Sequence, residues 1–515
     1  MRTSPLAKLR RNQQRRDDGK GGDASGPASA VVDAVGSRPR SRTGIAAVLY
    51  IVLSGLQRGA PVLMLPFVAG AMSPDEYGAS TMLTASAMVI VTIAASPLDA
   101  IVFRSGARQE EDSAANLRIA GLYCYLVAPV VCALFAGCVA LFVPSFLGVG
   151  GRIWAIELLA IGFQPPLSYF AMPLVQARQD LPKFIFLSLS ATVLMVSTKM
   201  LMVVIWKQGV TGWVVSDLLT AIGSAFLAVI VVRPPRATVK RSNVRALLRY
   251  TVPLIPHKAS VWAIYSLNRP LMAAVSTATQ VGFLSLGWNI ASVAILILTE
   301  VNKAALPAYS REVLPAPTSE TYSMVRYQVV LAFAVPGLIG AAVALLGEWI
   351  FSASYWEAFP LTGILLVGQA MLGIYLVPTN YIAQTAGTTR PVFIASSAGA
   401  VITFVSLMIF GRLYGALGAS FAIAGGLFSM AVIATILTRV AKVEISWSSW
   451  LCFWREFLCA AATLGLSVFA LALPVGSASA RMISMVAILA SVGAILIVYR
   501  SRSAGRSQLP TMNRS

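Results

Sequence analysis

Fourteen apolar runs of about twenty residues divide this chain between residues 44 and 499. Each is long enough to cross roughly 30 Å of hydrocarbon as a helix. The expected spans are 44–69, 78–101, 119–143, 153–175, 184–206, 211–232 and 250–275, followed by 281–303, 327–349, 359–383, 391–411, 415–437, 453–474 and 481–499. With 57% hydrophobic and only 12% charged residues, a soluble fold could not keep its surface wet. The expectation is an all-α integral membrane protein.

Basic residues orient those spans. The formal net charge is +20. With the N-terminus cytoplasmic, the first 43 residues carry ten Lys and Arg, the stretch 233–249 carries six and the last sixteen residues carry four. Twelve more fall in other cytoplasmic loops and helix ends, against only Arg152, Lys207, Arg412 and Arg481 on the opposite side. That is the positive-inside pattern, with both termini cytoplasmic, and it reads as contact with membrane lipids and not with nucleic acid. Residues 1–43 are polar and rich in Gly, Ser and Ala, so they are expected to be a disordered basic tail, not a cleaved signal. Five cysteines lie in or beside spans without CxxC pairing or nearby histidine, so neither a metal site nor a redox motif nor a cofactor is expected.

An internal repeat constrains the architecture further. LeuGlnArg at 56–58 returns as LeuAsnArg at 267–269, and GluTyrGly at 76–78 is answered by the Gln280 to Phe283 turn. QARQDLPKF at 176–184 answers QTAGTTRPVF at 384–393, and GVTGW at 209–213 answers GALGA at 415–419. Matches in one order at a nearly constant offset imply two six-helix lobes, 44–232 and 250–438, joined by a basic cytoplasmic linker at 233–249. Six passes per lobe give both the same orientation, so a pseudo-twofold along the membrane normal relates them. Two extra helices at 439–499 and a basic tail at 500–515 complete the chain.

Four cations remain at membrane depth: Arg58, Lys199, Lys258 and Arg269. Each costs on the order of 3 kcal/mol if it faces lipid. Lys258, Trp262, Tyr265 and Arg269 are spaced by 4, 3 and 4 residues and fall on one helical stripe, which suits a wet cavity wall. Prolines 253 and 256, like 61 and 66 on the first helix, should bend their helices. Arg58, Arg269 and Lys258 are therefore the candidate ligands of an anion in a central cavity, with Trp262, Tyr265, Asn268 and Lys199 as its wall. The alternative for each cation is a buried carboxylate, available at Asp99, Glu157, Asp217, Glu300 and Glu348. Asp217, Glu300 and His257 are candidates for ion coupling, with a structural role as the alternative for the lone histidine.

The stretch RYTVPLIPHKASVWAIYSLNRPLMAAVSTATQVGFLSLGWN at 249–289, with EVNKAALPAYSRE at 300–312 and LPFVAGAMSPDEYGAS near the start, resembles the Wzx-type polysaccharide flippases of the MOP superfamily. The resemblance runs from 44 to 437. It departs where the family carries an acid before the arginine, since Asn268 stands there, and where a Gly-Tyr turn reads Gly282-Phe283.

The resemblance implies a transporter, not an enzyme, that moves a polyprenyl-diphosphate-linked oligosaccharide across a bacterial plasma membrane by alternating access for surface polysaccharide synthesis. Its partners would be that lipid-linked substrate and other membrane proteins of glycan assembly. Cations at the cavity suit a diphosphate. A multidrug antiporter of the same superfamily would call for intramembrane carboxylates in that place. A glycan polymerase or ligase would call for a long outward loop.

Overall fold

The computed structural model describes residues 59–108, 112–252, 255, 263, 265–312, 319–440 and 454–507. Arg58, His257, Lys258, Trp262 and the N-terminal tail lie outside the described residues. Among the described residues the regular structure is helical, apart from a two-stranded antiparallel ribbon that pairs Ser145 with Gly150.

In chain order the helices are α1 (Gly59–Ala71), α2 (Pro74–Ala94), α3 (Leu98–Arg108), α4 (Ser113–Phe142), α5 (Gly151–Ala177), α6 (Leu181–Ile205), α7 (Gly209–Val231) and α8 (Arg241–Thr251). The second half has α9 (Asn268–Val275), α10 (Ala278–Arg311), α11 (Ser319–Ile350), α12 (Ala358–Thr385), α13 (Arg390–Val440), α14 (Trp454–Ala472) and α15 (Ala478–Ser507). Eleven of these are long and apolar enough to cross a membrane. The chain is a multi-pass membrane protein.

The eleven do not map one to one onto the fourteen expected spans. Helix α13 covers two of them, because the chain leaves helical geometry at Gly415 (φ 60°, ψ −140°), a conformation that favours glycine. The runs at 44–69 and 250–275 are only partly described. The single helix expected over 78–101 is instead α2 and α3, separated by a turn at Ala95 to Pro97, where the proline ring lacks an amide donor. The expected linker stretch contains most of α8, whose Asn243 donates to Asp112 Oδ1 at 2.9 Å. The helix of α15 also continues past residue 499 into the stretch expected to be tail.

Local chemistry explains where the two key helices begin. Ser73 and Glu76 form a reciprocal capping box at the start of α2, with Pro74 in the first turn. At the equivalent point of α10, Thr277 accepts from the Gln280 amide. The two helices then meet through residues 204 apart. Thr279 donates to Asp75, and Thr81 donates to Ser285 Oγ at 2.8 Å. Between these bonds a Cβ on Gly78 would strike the Ala278 carbonyl, and one on Gly282 would strike the Pro74 carbonyl. The reciprocity is that of a local two-fold, and glycine is what lets the backbones approach so closely.

The helix-opening glycines repeat the relation. Gly209 and Gly415 both have positive φ, and each lies under the side chain of its half's cap residue, Glu76 or Gln280. Gln280 Oε1 also accepts from the Ala416 amide at 2.7 Å.

Helices α14 and α15 pack against α11. Ser467 donates to the Gly337 carbonyl at 2.6 Å, Arg481 pairs with Glu348 at 2.6 Å and Arg326 pairs with Glu456.

Candidate functional site

The α2–α10 contact seals one end of a cavity of about 350 Å³ lined by residues of both halves, among them Val62, Tyr77, Thr84, Trp213, Arg269, Asn289 and Ser292. Arg269 stands on α9 and its Nη2 donates to Asn289 Oδ1 at 2.7 Å. Asn289 Nδ2 in turn donates to Tyr77 Oη at 2.7 Å. No carboxylate pairs with Arg269 among the described residues, and its Nε is buried without a hydrogen-bond partner. The amide of the neighbouring Asn268 is likewise buried and unbonded. A guanidinium bonded to a neutral amide, with no carboxylate partner among the described residues, is poised for an anion.

Tyr77 is fully buried and meets two rings edge-on, Trp213 at 5.9 Å and Tyr355 at 6.0 Å. Tyr355 comes from the α11–α12 loop and donates to the Met72 carbonyl at 3.1 Å, a third tie across the sealed end. Burial above all, then Tyr77, Glu76 and Asp75, holds the Tyr355 phenol well above its ordinary range, so it stays a donor.

Two further cavities adjoin this one. A space of about 270 Å³ shares Val62 and Ser292 with it and shares Tyr265, Ile295 and Thr299 with a larger space of about 700 Å³. The larger space is mostly apolar, walled by α10, α12 and α13, with exposed Arg390 on its lining. The three spaces make a run from Arg269 to Arg390.

Residues 46–312 match the model of a family described as polysaccharide biosynthesis protein. The chain belongs to that family. No protein of curated function matches it. Among solved structures, the lipid II flippase MurJ in an inward closed conformation is similar over 90% of this chain and 100% of its own, at 12% identity and a TM-score of 0.63. An inward-facing multidrug resistance MATE family transporter of the MOP superfamily is similar over 74% of this chain and 94% of its own, at 13% identity and a TM-score of 0.60. The Vibrio cholerae MATE transporter VcmN, in a point-mutant form, is similar over 78% of this chain and 98% of its own, at 14% identity and a TM-score of 0.53. This polysaccharide biosynthesis family member thus has the MATE and MurJ type of fold.

The sequence-derived candidates separate in space. Arg269 lines the cavity at the α2–α10 contact, Tyr265 lines the two cavities next to it, and Asn268 is buried beside Arg269. Lys199 is not on the cavity wall expected of it. Its Nζ bonds Asp217 Oδ1 at 2.7 Å and lies 3.6 Å over the Trp213 ring, so Trp213 stands between it and the cavity. Glu300 forms an ion pair with Lys303 one turn along its own helix. Arg58, Lys258, Trp262 and His257 fall outside the described residues.

Three members of the site carry no distinctive sequence signal. Asn289 and Tyr77 look like ordinary helix residues until the two halves are brought together, although Tyr77 sits inside the repeated turn motif. Arg390 is, by sequence alone, one of the twelve basic residues assigned to cytoplasmic loops and helix ends.

Proposed function

We propose that the chain is a flippase that carries a polyprenyl-diphosphate-linked oligosaccharide from the cytoplasmic to the outer leaflet of the plasma membrane, with both termini cytoplasmic. The observation that carries the reading is Arg269, a cation at membrane depth, bonded to a neutral amide and lining a cavity between two halves of a polysaccharide biosynthesis family fold.

A diphosphate carries about two negative charges, which lipid alone would exclude. Arg269 offers planar multi-donor contact to phosphate oxygens, and Arg58 would supply the matching cation from the first helix. In this orientation the α2–α10 contact is the closed outer gate. The run of cavities leads inward to Arg390, where the headgroup enters, while the prenyl tail stays in lipid. Parting of the gate and closure on the cytoplasmic side then completes the transfer. An inside-negative potential assists each uncompensated negative charge outward by roughly 2 kcal/mol per 100 mV.

The test is Arg269→Ala and Arg58→Ala in a surface-glycan complementation assay with matched membrane expression. Both variants are expected to lose most export. Full export by both would remove the cationic cavity from the mechanism.

A further inference from the structure

The first half holds a charged cluster that lies behind the cavity wall. Glu157 on α5, Lys199 on α6 and Asp217 on α7 converge on the far side of Trp213. Lys199 is committed to Asp217 and also donates to the Trp213 carbonyl at 3.4 Å. Glu157 is only 1% exposed and lies beside the Thr84 hydroxyl, within electrostatic reach of both Asp217 and Lys199. Its Oε2 has no hydrogen-bond partner.

Among the described residues, α7 and α6 present Asp217 and Lys199 to Glu157, α2 presents Thr84, and α4 packs apolar side chains such as Ala136 nearby. With all three groups ionised, the cluster carries one uncompensated negative charge inside the bundle. A buried carboxylate with an unbonded oxygen is costly, and the one ammonium is already shared out. A single positive charge resolves the imbalance.

Sodium fits poorly. It needs a shell of several oxygen ligands, whereas Lys199 already occupies the space between the helices and repels a second cation. A proton needs only the free Oε2. Water has a route to the cluster, because Asp217 also lines a cavity of about 440 Å³ with Gln164, Ser168, Thr192 and Thr220.

We propose that Glu157 is a proton-binding site of the first half, and that Lys199 and Asp217 form the ion pair its charge state controls. A proton from cavity water adds to the Glu157 carboxylate, forming an O–H bond and leaving Lys199 with Asp217 as a neutral pair. Release returns the proton to water and leaves two carboxylates competing for one ammonium.

The consequence reaches the cavity through direct contacts. The Lys199 ammonium rests on Trp213, whose Nε1 donates to Thr84 at 3.0 Å and whose ring meets Tyr77. Tyr77 holds Asn289, and Asn289 holds Arg269. A shift of Lys199 toward Glu157 therefore disturbs the packing that positions the guanidinium. The proton site stands without the lipid-linked substrate, and only its link to transport rests on that reading.

The test is infrared difference spectroscopy on full-length protein in phosphatidylcholine vesicles, with the pH stepped through neutrality. Wild type should show a protonated carboxyl band that exchanges with pH. Glu157→Gln should lack it, Glu157→Asp should keep one at a shifted frequency, and Asp217→Asn, which frees Lys199 to balance Glu157, should move the exchange to lower pH. Arg269→Ala, which tests the substrate reading, should leave the band in place. No exchanging band in wild type, or an unchanged band in Glu157→Gln, overturns the proposal.

Discussion

Gly282→Ala is the sharpest probe of the sealed end. A Cβ on residue 282 would meet the Pro74 carbonyl oxygen, and would lie 2.9 Å from its carbon and 3.2 Å from the Pro74 Cα. These are backbone atoms, so no side-chain rotation relieves the clash. Closure would require α2 and α10 to part by roughly 1 Å, which also stretches the Thr81–Ser285 and Thr279–Asp75 bonds. Overpacking of this kind costs about 1–3 kcal/mol. The cost falls on the closed state, because the glycine meets Pro74 only when the halves are together. The equilibrium should therefore shift toward the parted state by about 5- to 150-fold. Ser292 lines the cavity behind the seal, so a cysteine there, with the five native cysteines replaced, reports opening. A membrane-impermeant maleimide added from outside should label Ser292→Cys faster by that factor when Gly282→Ala is present. An unchanged labelling rate in folded protein would refute the argument that this contact is the gate.

Two other outcomes follow from the same geometry and from the helix ends. Thr81→Cys with Ser285→Cys, replacing hydroxyls 2.8 Å apart, should form a disulfide under mild oxidation that stops export and is reversed by reductant; gel mobility and the complementation assay read both effects. Asp180 caps α6 and bonds Lys183 Nζ at 2.7 Å, a hydrogen bond that holds its carboxyl below the usual range against the opposing effect of burial. Its stabilising contribution is present above the ordinary carboxylate pKa and is lost as pH falls through the lowered value. Asp180→Ala should cost about 1 kcal/mol at neutral pH, mostly through the lost cap, and thermal unfolding should show the difference shrinking in acid.

The membrane spans and the repeat were legible because each is written in residue type along the chain. Gly209 and Gly415 could be matched from sequence, since a left-handed turn imposes glycine wherever it recurs. Gly78 and Gly282 belong to the same matched turns, and close helix approach accounts for both. What could not be read was pairing between helices. Lys199 and Arg269 look alike as cations inside apolar runs, yet one finds Asp217 eighteen residues on and the other finds Asn289. Nothing in local spacing distinguishes them, because the choice depends on how α6, α7, α9 and α10 are rotated. The split of α2 from α3 falls at Pro97, a single proline inside an apolar run that is otherwise long enough for one span.

The contacts between residues 204 apart also say why two halves in one chain differ from two identical subunits. In a symmetric dimer, a residue close to the axis faces its own copy, so an aspartate at position 75 would confront a second aspartate and the two would repel. A single chain carries two separately variable sides, and here Asp75 meets a threonine hydroxyl while Thr81 meets a serine. Each side of the seam can then be tuned without changing the other. Thr279→Asp would restore the symmetry and, with it, the repulsion.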